Sequence, residues 1–288
     1  MWSIAIAFGS LFFFQTGSEQ ALALYKQHQY ARAAQAFEQL VNTGGGTGET
    51  WLLLGQSYFL SGQYPKAIPW LEKATAGGGA RATECSYMLA TAYLLTQQPD
   101  KAAAAFADVF GFSRDSAAGH LVAGQMMIRS ELLDYAEVQI HIALTLSSHI
   151  PQAHFELGVI ALARADIDTG IAEFQREIDL NPSFAMAYYR LGDAWSRREQ
   201  WDKAIPPLQR SIWLNPSYSG PYILLGKAYL KKEDLTNAEG ILRRAVQMDA
   251  GNRSAHYLLG QTLIREGHSE EGKKFLDRSL ELGAGPVQ

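Results

Sequence analysis

Trp51-Leu-Leu-Leu54-Gly55-Gln-Ser-Tyr58, followed by Ala67 and Leu71, is the stretch that decides the fold. Its small residue, Gly55, recurs along the chain. Steps of 34 residues from Gly55, with one extra residue in the first step, land on Ala90, Gly124, Gly158, Gly192, Gly226 and Gly260, and one step back lands on Ala21. Eight small residues in register identify an internal repeat, and a period between 20 and 50 residues is the mark of a stacked array.

A second small residue stands twelve places after each of these anchors: Ala33, Ala67, Ala102, Ala136, Gly170, Ala204, Ala238 and Gly272. In a helical hairpin, small residues at both points let the two axes approach to the usual 8–10 Å, where a bulky side chain would hold them apart. Four places further on comes a large apolar residue, Phe37, Leu71, Phe106, Ile140, Phe174, Leu208, Leu242 or Leu276, one turn along the same face and expected to fill the space between hairpins. Leu54, Leu89, Leu157, Leu191, Leu225 and Leu259 precede the anchors, and Tyr58, Tyr93, Trp195 and Tyr229 follow three places after them. Each such burial is worth about 1.5–3 kcal/mol, yet one hairpin exposes nearly as much apolar surface as it covers, so neighbours must stack. Pro182 and Pro216 are expected to stop the second helices of their repeats, since proline has no amide hydrogen and disfavours helix in the residue before it.

The pattern Trp51, Leu54, Gly55, Tyr58 with its later Ala67 resembles the tetratricopeptide repeat signature, W-x-x-L-G-x-x-Y followed by A-x-x-x-F. The resemblance implies an all-α, right-handed superhelical solenoid of about eight helix-turn-helix hairpins over residues 19–283, with 284–288 as a tail. Repeat three has Ala90 for Gly, repeat four has His120, Ala123 and Met127 where Trp, Leu and Tyr are typical, and repeat one lacks the aromatic and the Leu-Gly pair. After repeats one and two the Asn-Pro stop is replaced by Gly44-Gly45-Gly46-Thr47-Gly48 and Gly77-Gly78-Gly79, which predict flexible turns and a mobile amino-terminal third.

Of the 288 residues 47% are hydrophobic and 19% charged, and the formal net charge is -4, so the chain has material for a continuous core and no basic field for nucleic acid. Cys85 is the sole cysteine, which excludes an intramolecular disulfide and a cysteine-clustered zinc site. The run Met1 to Phe14 is apolar and uncharged, with Gln15-Thr16-Gly17-Ser18 behind it; it reads as a signal peptide over residues 1–18, or else as an amino-terminal apolar helix covering the end of the array. It is short of the roughly 20 residues a spanning helix needs. Export to the periplasm or medium follows from the first alternative, a cytoplasmic location from the second.

Gly44 to Thr50 has the glycines of a phosphate-binding loop, but Glu49 stands where that loop needs Lys and a helix precedes it where a strand should. His120, His154 and His256 share the Trp-like repeat position, and their spacings, with His141 and His149, match no metal motif; an aromatic-sized ring packed between helices explains the recurrence. No nucleophile elbow or metalloprotease pair is present, and the chain reads as a non-enzyme without cofactor or metal.

In the family that this chain resembles, the first helix of each repeat lines a concave surface, through positions three before, one after and four or five after the anchor. Here the first of these carries Leu52, Tyr87, Leu121, Phe155, Tyr189, Ile223 and Tyr257; the second Gln56, Gln125, Asp193, Lys227 and Gln261; the last Arg129, Arg197, Lys231 and Arg265. An apolar and aromatic track with a basic edge suits protein or peptide segments bearing acidic or aromatic residues. The alternatives are a chaperone-tail clamp of a cytosolic co-chaperone, whose Lys and Asn are replaced here by apolar residues and Gln, and a subunit presenting substrates to an enzyme acting in trans. The last helix, near Phe275 to Leu282, is followed only by Gly-Ala-Gly-Pro-Val-Gln, so its outer face is expected to be open to weak self-association.

Overall fold

The computed structural model describes residues 17–76 and 82–283, and among these sixteen α-helices and no strand are found. They pair into eight hairpins: α1 (17–26) with α2 (Tyr30–Asn42), α3 (Gly48–Leu60) with α4 (Tyr64–Ala76), α5 (Ala82–Leu95) with α6 (Pro99–Val109), and α7 (Ala117–Arg129) with α8 (Leu133–Leu146). The second four are α9 (Ala153–Ala163) with α10 (Ile167–Leu180), α11 (Ala185–Arg197) with α12 (Trp201–Leu214), α13 (Ser219–Lys231) with α14 (Leu235–Met248), and α15 (Arg253–Arg265) with α16 (Ser269–Gly283). The chain divides into two compact units, Met1–Ile150 and Pro151–Gln288, of four hairpins each. The amino-terminal apolar run, Gly77 to Gly79 and the tail lie outside the described residues.

The anchors act within single hairpins, as their spacing predicts. A Cβ added at Gly192 would lie 2.5 Å from the side chain of Leu208, and at Gly226 2.4 Å from that of Leu242; Gly158 meets Phe174 at 2.6 Å and Gly124 meets Ile140 at 2.6 Å. Each glycine is therefore the seat for the large residue sixteen places later in its own hairpin. That residue also faces forward: Leu208 clusters with Leu225, Phe174 with Leu191, and Leu242 with Leu259 and Leu263. One buried side chain thus closes a hairpin and joins it to the next.

The turn within every hairpin holds a left-handed residue seven places after the anchor: His28, Gly62, Gln97, Glu131, Ala165, Glu199, Glu233 and Gly267, with φ from 57° to 93°. Only two of the eight are glycine, so six turns carry the strain of a side chain in that region. Pro182 and Pro216 act as expected, α10 ending at Leu180 and α12 at Leu214. Pro206 and Pro207, by contrast, lie inside α12 and Pro69 inside α4. Pro69 and Pro206 are on the exposed side, where a carbonyl that has lost its helical partner is least costly.

The glycine-rich segment before α3 is built into the fold rather than free. Thr47 accepts from Thr50 N at 3.2 Å to cap the helix, the Thr50 hydroxyl donates to Gly45 O at 3.2 Å, and a Cβ at Gly46 would strike Trp51 at 2.9 Å.

In the second unit the first helices of successive hairpins pack on one another, α9 on α11, α11 on α13 and α13 on α15, while the second helices make no comparable packing among themselves. The first-helix layer is the close-packed side of this unit and the second-helix layer the splayed side.

Candidate functional site: the first-helix face

Eight of the ten singled-out residues fall in the second unit, and Tyr87 and Arg129 in the first. Tyr189, Asp193 and Arg197 come from successive turns of α11, Lys227 and Lys231 from α13, and Tyr257 and Arg265 from α15. Spacings of four and eight residues put each set on one helical face. Asp193 holds Arg197 in an exposed pair at 3.1 Å. Among the described residues Lys227, Lys231 and Arg265 meet no carboxylate within ion-pair distance; Lys227 instead lies over the Trp201 ring, 5.8 Å from its centroid. Tyr257 is 47% exposed, its hydroxyl accepting from Gln261 Nε2 at 2.7 Å.

Tyr189 is half-buried and set edge-on to Tyr218, the ring centroids 5.3 Å apart, with the Arg190 guanidinium 5.7 Å from its centroid. Burial, then the nearby Tyr218 and Asp193, pushes its phenol up to about 12. Tyr218 also lines a hollow of about 250 Å³ with Phe184, Met186, Ser211 and Asn215. Sequence reasoning missed Tyr218 because it lies in a loop and not on the repeated helix face; Arg190, two places before an anchor, is outside the offsets used.

Other track positions belong to packing. Leu52 and Leu121 are buried, and Phe155 rests on Phe174 and Phe184 with centroids 5.8 Å and 5.0 Å away. Gln56 is buried between hairpins, accepting from Tyr25 at 3.0 Å and donating to Glu84 at 3.0 Å. Tyr87 is 47% exposed with its edge against Phe106, and Arg129 is exposed at the end of α7.

Two of the repeat-position histidines pair within their own hairpins, His120 with Gln139 and His154 with Glu173, each at 2.7 Å, while His256 packs on Phe275 at 5.7 Å. Among the described residues no group of His, Cys, Asp and Glu is placed to hold a metal ion, and no helix is long and apolar enough to cross a membrane. A larger hollow of about 630 Å³ lies in the first unit between α4, α5 and α6. Its charges answer one another: Tyr93 donates to Glu72, Lys101 sits 5.4 Å over the Tyr93 ring, and Arg114 grips Asp108 through two bonds of 3.0 and 2.6 Å.

The outer face of α16 is more polar than its place at the end of the array predicts. Lys273 pairs with Glu270 and Arg278 with Glu281, and Leu280 is the one large apolar side chain that α16 leaves strongly exposed.

Small-residue anchors and stacked two-helix hairpins define a helical-repeat protein. One tetratricopeptide-repeat family model matches residues 18–82 and 155–219 and a second matches 229–286, together more than half of the chain, which therefore belongs to that family. No curated protein matches the sequence. Among solved structures, MamA (residues 41 to the end) from Desulfovibrio magneticus RS-1 is 22% identical with a TM-score of 0.55, over 60% of this chain and 98% of that one. YrrB, described as a TPR protein with an unusual peptide-binding site, is 20% identical with a TM-score of 0.54, over 62% of this chain and 93% of that one. The hetero-tetramer Cut9–Hcn1 contains a chain 20% identical with a TM-score of 0.52, over 84% of this chain and 48% of that one. At such identities the likeness is one of fold.

Proposed function

We propose that this protein is a non-enzymatic scaffold that holds acidic, aromatic-bearing segments of other proteins on the first-helix face of hairpins five to eight. The observation that carries this reading is the set of three cations without ion-pair partners, Lys227, Lys231 and Arg265, beside the exposed Tyr257 and half-buried Tyr189. Unpaired cations on a rigid face steer and orient an acidic guest, and tyrosines offer contact area at small entropic cost. The peptide-binding site named for YrrB, on a similar fold, is in keeping with such a platform. Export belongs to the same reading and rests on the apolar run Met1 to Phe14; amino-terminal sequencing of the mature protein tests it.

The test is fluorescence anisotropy with a short labelled peptide of Asp, Glu and Phe. Lys227→Glu, Lys231→Glu and Arg265→Glu combined weaken binding by about tenfold or more at low salt, and Tyr257→Ala weakens it by several-fold. Equal affinity for wild type and the triple variant would remove the first-helix face as the site.

A further inference from the structure

The splayed side of the same unit carries a feature that the first-helix site does not use. Eighteen residues after each anchor stand Arg176, Arg210, Arg244 and Arg278, one at the same place in four successive hairpins. Lys and Arg together occupy only 25 of 288 positions, so composition does not produce such a row. All four are exposed on the second helices α10, α12, α14 and α16.

Folding does not account for the row. Charge pairs that do tie hairpins together lie elsewhere in the repeat, Asp168 with Arg198 and Asp202 with Lys232. The row's contacts stay within single hairpins: Arg176 with Glu173, Arg244 with Gln247 at 3.4 Å, Arg278 with Glu281 at 2.8 Å. Arg210 meets no carboxylate among the described residues. It is stacked on Trp213, 4.2 Å from the ring centroid, with Tyr188 6.0 Å away on α11. Trp213 is 69% exposed, the most exposed large apolar side chain among the described residues. The two central arginines, Arg210 and Arg244, are thus without ion pairs among the described residues, and one of them is stacked on an exposed indole. Trp and Arg are the residue types that dominate binding hot spots, and a stacked guanidinium loses less freedom on pairing with a carboxylate.

We infer that the second helices of hairpins five to eight form a second docking face, and that its occupant is an acidic, amphipathic helical segment of a partner protein. Such a segment sets carboxylates against Arg210 and Arg244 and an apolar side chain on Trp213. A protein segment fits better than a polyanion because Asp179, Asp277 and Glu281 are exposed on α10 and α16 of the same layer. A membrane surface or nucleic acid meets those carboxylates along with the arginines, whereas a segment of defined sequence places its charges only where the arginines stand.

The experiment uses the full chain and a labelled helical peptide with Glu and Leu on one face, read by anisotropy. Arg210→Glu with Arg244→Glu is expected to weaken binding by about tenfold or more, and Trp213→Ala by several-fold, while the Lys227, Lys231, Arg265 triple variant binds as wild type does. These side chains are exposed, and an unchanged helical spectrum verifies that each variant folds. The inference is overturned if wild type shows no saturable binding, or if the outer variants bind within about twofold of wild type. It is equally overturned if the peptide is lost only with the triple variant, which places it on the first-helix face and leaves that proposal standing. Arginine-dependent capture of phosphatidylserine vesicles or an oligonucleotide, with no peptide binding, identifies a polyanion face and overturns it as well.

Discussion

Hairpins one to four and hairpins five to eight share one backbone plan and decorate it differently. In hairpins two and three, in the first unit, the aromatic three places after the anchor is held from both sides. Tyr58 is raised in pKa by burial and by the nearby Glu38 carboxylate of the preceding hairpin and lies under Lys66 at 5.5 Å; Tyr93 bonds to Glu72 and lies under Lys101. In the second unit the clamp is incomplete: Trp195 keeps only Lys203, at 4.6 Å, and Tyr229 only an exposed bond from Gln209 at 2.9 Å. There, exposed ion pairs and Asn-Pro turns bridge the hairpins, and the cations left over stand in rows on both faces. Packing is common to the two halves because the small-residue anchors are; charge, which packing does not constrain, is where they diverge.

The largest expected effect tests what they share. Gly192→Leu drives a side chain into the space of Leu208 and should cost about 3 kcal/mol, with Gly124→Leu against Ile140 costing as much in the first unit. Thermal melts by circular dichroism check both, and a wild-type midpoint for either would separate the anchors from stability. The next tests the clamp. Tyr93→Phe loses a hydrogen bond to a charged carboxylate and should cost about 1.5 kcal/mol, whereas Tyr229→Phe should cost less than about 0.5 kcal/mol. Equal losses in denaturant titrations would erase the distinction between the units.

Relief of turn strain comes third. Ala165→Gly, at φ 62°, should stabilise the protein by about 0.5–1 kcal/mol, and Glu199→Gly, at φ 57°, by a similar amount, read as a higher melting temperature. The smallest effect is silent near neutral pH. Tyr58 and Tyr189 are both pushed up to about 12, first by burial and then by neighbouring acidic or phenolic groups. Folding thus favours their protonated forms, a contribution present in full below the unfolded value near 10 and lost between pH 10 and 12. Phenolate absorbance should show these two lagging behind exposed tyrosines, one in each unit; loss of the lag at Tyr58 in Glu38→Gln would weigh the carboxylate against burial.

Much of this was legible in the residues. Gly55 and its seven equivalents reported the hairpins because close helix approach admits only small side chains, a constraint that acts locally and repeats. Pro182 and Pro216 reported helix ends for the same kind of reason. The left-handed turns escaped notice because Glu199, Glu233 and Ala165 carry no glycine signal, the repeat geometry imposing φ on them. Leu52, Gln56 and Phe155 share the helical offsets of Lys227 and Tyr257, and offset alone cannot separate a face covered by a neighbouring hairpin from one left open.

By itself, then, the sequence determined an all-helical repeat, its register, its anchors and the cations available to it, since each follows from spacing and side-chain volume. Tertiary structure decided which of those residues are covered and which are free. Gln56 is spent between Tyr25 and Glu84, while Lys231, Arg265 and Arg244 keep their charges unpaired. That outcome depends on residues 28 to 34 positions away in the chain, brought near only when one hairpin stacks on the next.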